Sequence, residues 1–344
     1  MTCQEERPQV GGLDSLLAGD EATLARALSV LERGGAQAES LATRLRPHAG
    51  AALVVGFTGP PGVGKSTLIS AYIAELRRAG ESVAVLAVDP SSPVSGGAVL
   101  GDRTRMNGHS ADPRVFIRSV SSRGQPGGLA RAIPAFIDAL DAAGWPTIVL
   151  ETVGTGQTDA EALAFADVGI LLSAPGMGDD VQAIKAGLQE VADILVVNKC
   201  DLPGADQTAQ QLSRMLGLRG PESPRPPVIG TSSVTDQGVA ELATAIRLLG
   251  RAADRDDPAR RLQRAVLRSV EAEFRARLAS LDRSLMDGFC AQILEDGRTL
   301  PEVVDSVLEH LRSRPTTPCP ERRTPDGEHR LEDNDSSERE EPDV

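Results

Sequence analysis

The sequence predicts an α/β fold: a mostly parallel central sheet with helices on both faces, a helical N-terminal subdomain, and a C-terminal helical extension. Two observations carry this. Short apolar runs alternate with helix-length amphipathic stretches between residues 53 and 231, the pattern of strands joined by right-handed crossovers. The first of those runs leads directly into a glycine-rich loop that opens a helix, the kind of junction at which such sheets hold phosphates.

Taken in order, residues 1–50 form the N-terminal subdomain, with Leu13, Leu16 and Leu17, then Leu24, Ala27, Leu28 and Leu31, then Leu41 and Leu45 at helical spacing. Gly19-Asp20 and Gly34-Gly35 interrupt the pattern. These helices either cover part of the sheet or meet a partner. Residues 51–250 hold the expected strands: Leu53–Thr58, Val83–Val88, Val115–Arg118, Thr147–Glu151, Val168–Ser173, Ile194–Asn198 and Val228–Thr231. Residues 251–314 are helical and charged. Their stripes, such as Val266, Val270, Phe274 and Leu278, then Val303, Val307 and Leu311, are too sparse for a core of their own and should pack on the main domain or on another subunit. Residues 315–344 read as a disordered, solvated acidic tail; from Glu321 to Val344 ten acids stand against four arginines.

Composition narrows the function classes. Hydrophobic residues make up 40% of the 344 and aromatics only 2%, so the core must be built from Ala, Val, Leu and Ile, as buried parallel strands under Ala/Leu helices require. A formal net charge of −13 argues against a nucleic-acid or anionic-membrane surface, since phosphates are met by clustered Lys and Arg. Cys3, Cys200, Cys290 and Cys319 are scattered without a CxxC pair, which suggests neither a disulfide framework nor zinc. No apolar run approaches the roughly 20 residues of a membrane span, and residues 1–10 lack a signal-peptide pattern, so a cytoplasmic protein is expected.

The chemistry-bearing motif is Gly59-Pro60-Pro61-Gly62-Val63-Gly64-Lys65-Ser66-Thr67, which satisfies GxxxxGK[ST] between a strand and a helix. Its backbone N–H groups and the helix N-terminus suit a β-phosphate; Lys65 should reach the β/γ-phosphates and Ser66 should offer its hydroxyl to Mg²⁺. Asn198-Lys199-Cys200-Asp201 closes another strand as NKxD. A carboxylate at Asp201 can accept from both N1–H and N2–H of guanine, donors that adenine lacks, which predicts GTP and GDP as ligands. Asn198 would brace the base and loop, and the Lys199 stem would lie over the purine. Thr231-Ser232-Ser233 follows a further strand and is where a contact to the guanine oxygen is expected.

Three carboxylates complete the phosphate side. Asp89 and Glu151 end strands, and Asp102 lies in the Gly- and Ser-rich stretch from Ser95 to Asn107. Beside a magnesium-phosphate site such groups hold metal-bound waters or orient the attacking one, so with Lys65 they are the candidate catalytic set and with Ser66 the candidate metal set. Glu151-x-x-Gly154 stands where GTPases commonly have DxxG, and Gly154 is suited to present its N–H to the γ-phosphate. Gln157 is a switch-loop candidate.

These residues resemble the MeaB/ArgK-type GTPases, whose human relative is MMAA, in the SIMIBI class of P-loop proteins. The resemblance is carried by Gly56 to Gly62, by the segment VAVLAVDPSSPVSGGAVLGDRTRM from Val83 to Met106, by ETVGTGQ from Glu151 to Gln157, by DDVQAIK from Asp179 to Lys185, and by Asn198 to Asp201. It implies a GTPase that forms a complex with a cobalamin-dependent acyl-CoA mutase, methylmalonyl-CoA mutase or a close relative, and gates cofactor loading or protects and reactivates that enzyme. It also implies a homodimer to which C-terminal helices contribute, and mobile switches around Ser91 to Arg105, Gly154 to Asp159 and Gly178 to Lys185. Thr155, Thr158-Asp159, Met177, Asp180 and Pro126 depart from the family pattern, several of them in the switches where a partner would sense the nucleotide. The competing reading is a small-molecule kinase or transport-associated ATPase, which needs ATP preference and a second pocket; NKCD argues against it. A nickel or cobalt chaperone would need a Cys/His cluster, whereas His48, His109, His310 and His329 are dispersed.

Overall fold

The structure is a computed structural model that describes residues 12–89, 108, 109, 111–121, 128–152, 163, 165–177, 192–217, 225–252, 263, 266, 267, 270, 274, 277, 278, 281, 283–295 and 297–313. Its frame is seven strands: β1 (Leu53–Thr58), β2 (Val83–Asp89), β3 (Val115–Ser121), β4 (Thr147–Glu151), β5 (Val168–Ser173), β6 (Ile194–Val197) and β7 (Val228–Gly230). They form one sheet in the order β3-β2-β4-β1-β5-β6-β7, and every pairing between them is parallel. The chain leaves β1 toward β2 on one side and later returns to β5 on the other, so the end of β1 lies at the point where strand order reverses, the place where ligands bind in open parallel sheets.

Apolar residues on both sides of each strand explain the continuous runs in the sequence. Val55, Phe57, Val85, Val149, Ile170 and Val196 belong to a core shared with helices α4 (Lys65–Arg78) and, once α5 (Gly128–Ala142) and α6 (Ala205–Gly217) have crossed the other face, α7 (Val239–Ala252). The alternate residues Val54, Leu86, Val88, Ile148 and Leu150 face a second core. That core also holds α1 (Leu13–Leu17), α2 (Glu21–Arg33) and α3 (Ala36–Leu45) through Leu16, Leu24, Leu28, Leu41 and Leu45. The N-terminal helices therefore complete the cover of the sheet together with α5. Asp20 caps α2 by accepting from the Thr23 N–H at 2.7 Å, which explains the break at Gly19-Asp20; hydrogen bonding with the Thr23 side chain, and then with its backbone, holds the Asp20 carboxyl below the usual range.

Buried carboxylates close the opposite, amino end of the sheet. Asp141, at the end of α5, accepts from the backbone N–H of Gly50 at 2.6 Å and of Ala52 at 3.0 Å, and Asp167 accepts from Val54 at 3.0 Å. Carboxylate acceptors on backbone N–H donors make strong bonds. Asp141→Ala removes both bonds and should cost about 3 kcal/mol of stability. The measurement is a urea melt followed by Trp145, the single tryptophan, which is buried in the same core.

Contacts divide the chain into Met1–Ser280 and Leu281–Val344. Within the second unit, α8 (Arg283–Leu294) and α9 (Leu300–Ser313) are joined by an edge-on contact of Phe289 and His310 at 6.1 Å between ring centroids. Glu302 reaches back to the residue that precedes α9: its carboxylate accepts from the Thr299 N–H at 2.8 Å and from the Thr299 hydroxyl at 2.9 Å, and these bonds depress its pKa. Val266, Val270, Phe274 and Leu278, expected to be covered, are exposed in the single chain. No helix among the described residues is long and apolar enough to cross a membrane.

Candidate nucleotide-binding site

The phosphate loop runs from the end of β1 to the first turn of α4 and needs glycine at two places for distinct reasons. A Cβ on Gly59 would lie 2.6 Å from the Leu172 carbonyl oxygen of neighbouring β5, so only a bare backbone leaves the sheet there. Gly64 caps α4 at φ 96°, left-handed, and a Cβ there would sit 2.6 Å from the Asn198 amide nitrogen. Lys65 folds back over the loop that precedes it, its Nζ donating to the carbonyls of Gly59 at 2.7 Å and Pro60 at 3.1 Å. Val63 is fully buried and anchors the loop, whereas Pro61, Gly62 and Thr67 are exposed.

On the acidic side, β4 runs beside β1 with Glu151 in register with Phe57. This places the Glu151 carboxylate against the start of α4, where the Ser66 hydroxyl donates to its Oε1 at 2.5 Å; both residues are buried. The distance falls in the charge-assisted range. Asp89 ends β2 two positions beyond the Ala87–Glu151 register and opposite Ser121 of β3. Asp102, Gly154 and Gln157 lie outside the described residues.

The base-side motif meets the same loop. Asn198 is buried, and its Nδ2 donates to the Val63 carbonyl at 2.9 Å and to that of Gly64 at 3.5 Å. Its Oδ1 accepts from the hydroxyls of Thr231 at 3.1 Å and Ser233 at 3.3 Å. One amide thus joins the phosphate loop, the end of β6 and the end of β7. Lys199 takes a left-handed backbone at φ 57° and donates from Nζ to the Gly62 carbonyl at 2.9 Å. Asp201 is exposed in the turn that follows. Burial, and then the neighbouring Asp201 charge, push the Cys200 thiol upward, which keeps it protonated at neutral pH and suits the spacer position.

Thr231 and Ser233 emerge as partners of Asn198, a role that their sequence position did not reveal. Ser232 is buried and bridges to Gln237 through its backbone N–H. Sequence reasoning also passed over a hydroxyl pair at the carboxyl end of the sheet, where Thr152 Oγ1 donates to Thr58 Oγ1 at 3.0 Å. A polar residue closing an apolar run was the only signal for it. Ser173 ends β5 with a buried hydroxyl that has no hydrogen-bond partner among the described residues.

A parallel sheet with a phosphate loop at its switch point, held by one asparagine to an NKCD turn, defines the class: a P-loop GTPase. The family model for methylmalonyl Co-A mutase-associated GTPase MeaB matches residues 24–281, and the chain belongs to that family. A probable GTPase of Mycobacterium tuberculosis is 42% identical over 252 residues, 70% of this chain and 75% of that protein. GTPase ArgK of Escherichia coli is 40% identical over 239 residues, 66% and 72% of the two chains. The crystal structure of an LAO/AO transport system kinase superposes with a TM-score of 0.65 at 27% identity, covering 88% of this chain and 96% of that one. The chain is accordingly an enzyme that hydrolyses GTP.

Proposed function

We propose that the protein uses its GTP cycle to serve an adenosylcobalamin-dependent acyl-CoA mutase, methylmalonyl-CoA mutase or a close relative, gating cofactor loading and protecting or reactivating that enzyme. The description of the family supports the choice of partner. The observation that carries the signalling half is the Asn198 network, because a nucleotide spanning the site engages phosphate loop and base loop through one set of bonds. Exposed Val266, Val270, Phe274 and Leu278 support a homodimer formed through the 251–314 extension. The proposed setting is the cytoplasm.

In this scheme the N–H groups of the phosphate loop, Gly59 to Thr67, cradle the β-phosphate, and Lys65 exchanges its two loop carbonyls for β/γ-phosphate oxygens. Asp201 takes the guanine edge while Asn198 and Lys199 hold the loop around it; Thr231, Ser232 and Ser233 complete that side. Gly154 offers its N–H to the γ-phosphate. The donors near the phosphate end suit Mg²⁺, a hard ion that prefers oxygen. Ser66 spends its hydroxyl proton on Glu151, which leaves the oxygen lone pairs available as a ligand. Asp89, Asp102 and Glu151 would hold the ion's waters or orient the attacking one. When bound, the ion neutralises charge that develops on the phosphates.

The test is a titration of purified holo- and apo-mutase with this protein loaded with GDP or with a non-hydrolysable GTP analogue. Binding that differs by at least about tenfold between the two nucleotides is the expected result, equivalent to roughly 1.4 kcal/mol of coupling. Equal binding in both states would remove the signalling role, and no binding would remove the mutase, with GTP hydrolysis untouched in either case.

A further inference from the structure

The ladder between β1 and β4 ends at the pair Phe57 and Glu151. One residue later the Thr152 N–H donates to the Phe57 carbonyl at 3.1 Å, and the Thr152 hydroxyl meets two acceptors, Thr58 Oγ1 at 3.0 Å and the Phe57 carbonyl at 3.4 Å. A side chain thus continues the pairing past the end of the strand. Thr58 and Thr152 are 0% and 2% exposed. Below them the same face of the sheet is apolar: Val54, Ile148 and Leu150 belong to the core that carries the N-terminal helices. Strand alternation puts Thr58 in the Val54 row and Thr152 in the Leu150 row. Valine has the same shape and no hydroxyl to bury, so packing alone does not call for threonine at either place.

Glu151 faces the other way. It shares its side of β4 with Val149, in the core that α4 covers, and its carboxylate accepts from the Ser66 hydroxyl at 2.5 Å. It is also the last residue of its strand, where pairing is weakest unless something beyond holds it.

We infer that Thr152, clamped to Thr58, is a positioning residue for the Glu151 carboxylate in GTP hydrolysis. The inference rests on the role proposed above for Glu151 beside Ser66. Successive residues of a strand point to opposite faces, so bonds that fix Thr152 on one side fix the direction of Glu151 on the other. Without the hydroxyl a single backbone bond to Phe57 remains, and Glu151 is free to swing at the end of β4. A carboxylate that orients water loses rate steeply with small displacements, whereas Lys65 and Asn198 keep their own bonds to the phosphate loop. Catalysis should therefore fall while nucleotide affinity at saturating Mg²⁺ holds.

Thr152→Val should lower kcat by about tenfold, with KM for GTP and the affinity for GDP at saturating Mg²⁺ within about twofold of wild type. A second readout needs no turnover: the Mg²⁺ concentration that half-maximally slows release of a fluorescent GDP analogue should rise about tenfold. Thr152→Ser keeps the hydroxyl and should restore most of both. Thr58→Val with Thr152→Val separates position from folding. Replacing both partners by apolar groups of like shape should bring the urea midpoint, followed by Trp145, back toward wild type and leave kcat low. If Thr152→Val does not fold, this double variant carries the comparison. Wild-type kcat and Mg²⁺ dependence in folded Thr152→Val would overturn the inference. So would a serine variant as slow as the valine one, kcat recovering with stability in the double variant, or GDP affinity falling in step with kcat. Glu151→Gln separates the clamp from the reading beneath it: a slow Glu151→Gln beside a normal Thr152→Val removes the clamp alone, whereas normal turnover in Glu151→Gln removes the Glu151 role and the clamp's purpose with it.

Discussion

Lys65→Ala should slow GTP hydrolysis by about 10²–10³-fold, the usual consequence of removing one preorganised donor from developing negative charge. The structure gives a reason to expect a catalytic loss without a folding one. The Lys65 ammonium donates to the carbonyls of Gly59 and Pro60, bonds that hold the side chain over the loop. The loop itself is held by other means: burial of Val63, the left-handed turn at Gly64, and the Asn198 amide on the Val63 carbonyl. Truncating the lysine removes the charge and leaves these intact. Single-turnover hydrolysis, with GDP affinity measured in parallel by a fluorescent nucleotide, is the check. Unchanged turnover in the variant would mean that the phosphate chemistry takes place elsewhere.

The elements that were legible from sequence are those whose identity depends on local burial. Strands β1, β4 and β5 fall on the expected residues because a buried parallel strand is apolar on both faces and reads as an unbroken run. At the sheet edge the signal weakens. β3 runs three residues past its expected end at Arg118, through Ser119, Val120 and Ser121, a stretch whose serines look like the start of a loop. The reason is tertiary: Ser119, Val120 and Ser121 pair with Ala87, Val88 and Asp89 of β2, and Arg118 before them is held by the Ser29 hydroxyl at 3.0 Å and the Glu32 carboxylate at 3.2 Å on α2. β6 stops at Val197, one residue short of the expected end, because Asn198 turns its amide to the phosphate loop and Lys199 takes a left-handed backbone.

The same contrast holds in the site. The positions of Lys65, Ser66, Glu151 and Asn198 followed from motif spacing alone, because each motif closes a strand. The partners of those residues did not. Nothing local tells that Thr231 and Ser233 turn their hydroxyls toward Asn198, or that a Cβ on the first glycine of GFTG would meet the Leu163 side chain at 2.6 Å; both depend on tertiary neighbours. The N-terminal helices were ambiguous for a related reason. An apolar stripe states that something will be covered, and only the packing of Leu24, Leu28 and Leu45 with α5 says what.

Asp201 carries the second large expected effect, on selectivity. Asp201→Ala should largely abolish the preference for GTP over ATP, mainly by weakening GTP. Two charge-assisted hydrogen bonds from a guanine edge are worth about 1.5–3 kcal/mol each, so their loss should cost at least about 10²-fold in affinity. Asp201→Asn makes the sharper case, because an amide offers one acceptor and one donor where the carboxylate offers two acceptors. The variant should therefore gain relative affinity for xanthosine nucleotides, whose 2-position presents a carbonyl oxygen in place of the amino group. Such a reversal cannot come from damage to the fold, which would weaken all bases alike. Competition titrations with GDP, ADP and xanthosine diphosphate on wild type and both variants read it directly. Equal affinity of the wild-type chain for ATP and GTP would overturn guanine selection and revive the kinase or transport-ATPase alternative. That outcome is disfavoured because Asn198 and Lys199 are both bonded to the phosphate loop, which fixes the NKCD turn beside the phosphates and leaves Asp201 exposed in the turn where a base edge would arrive.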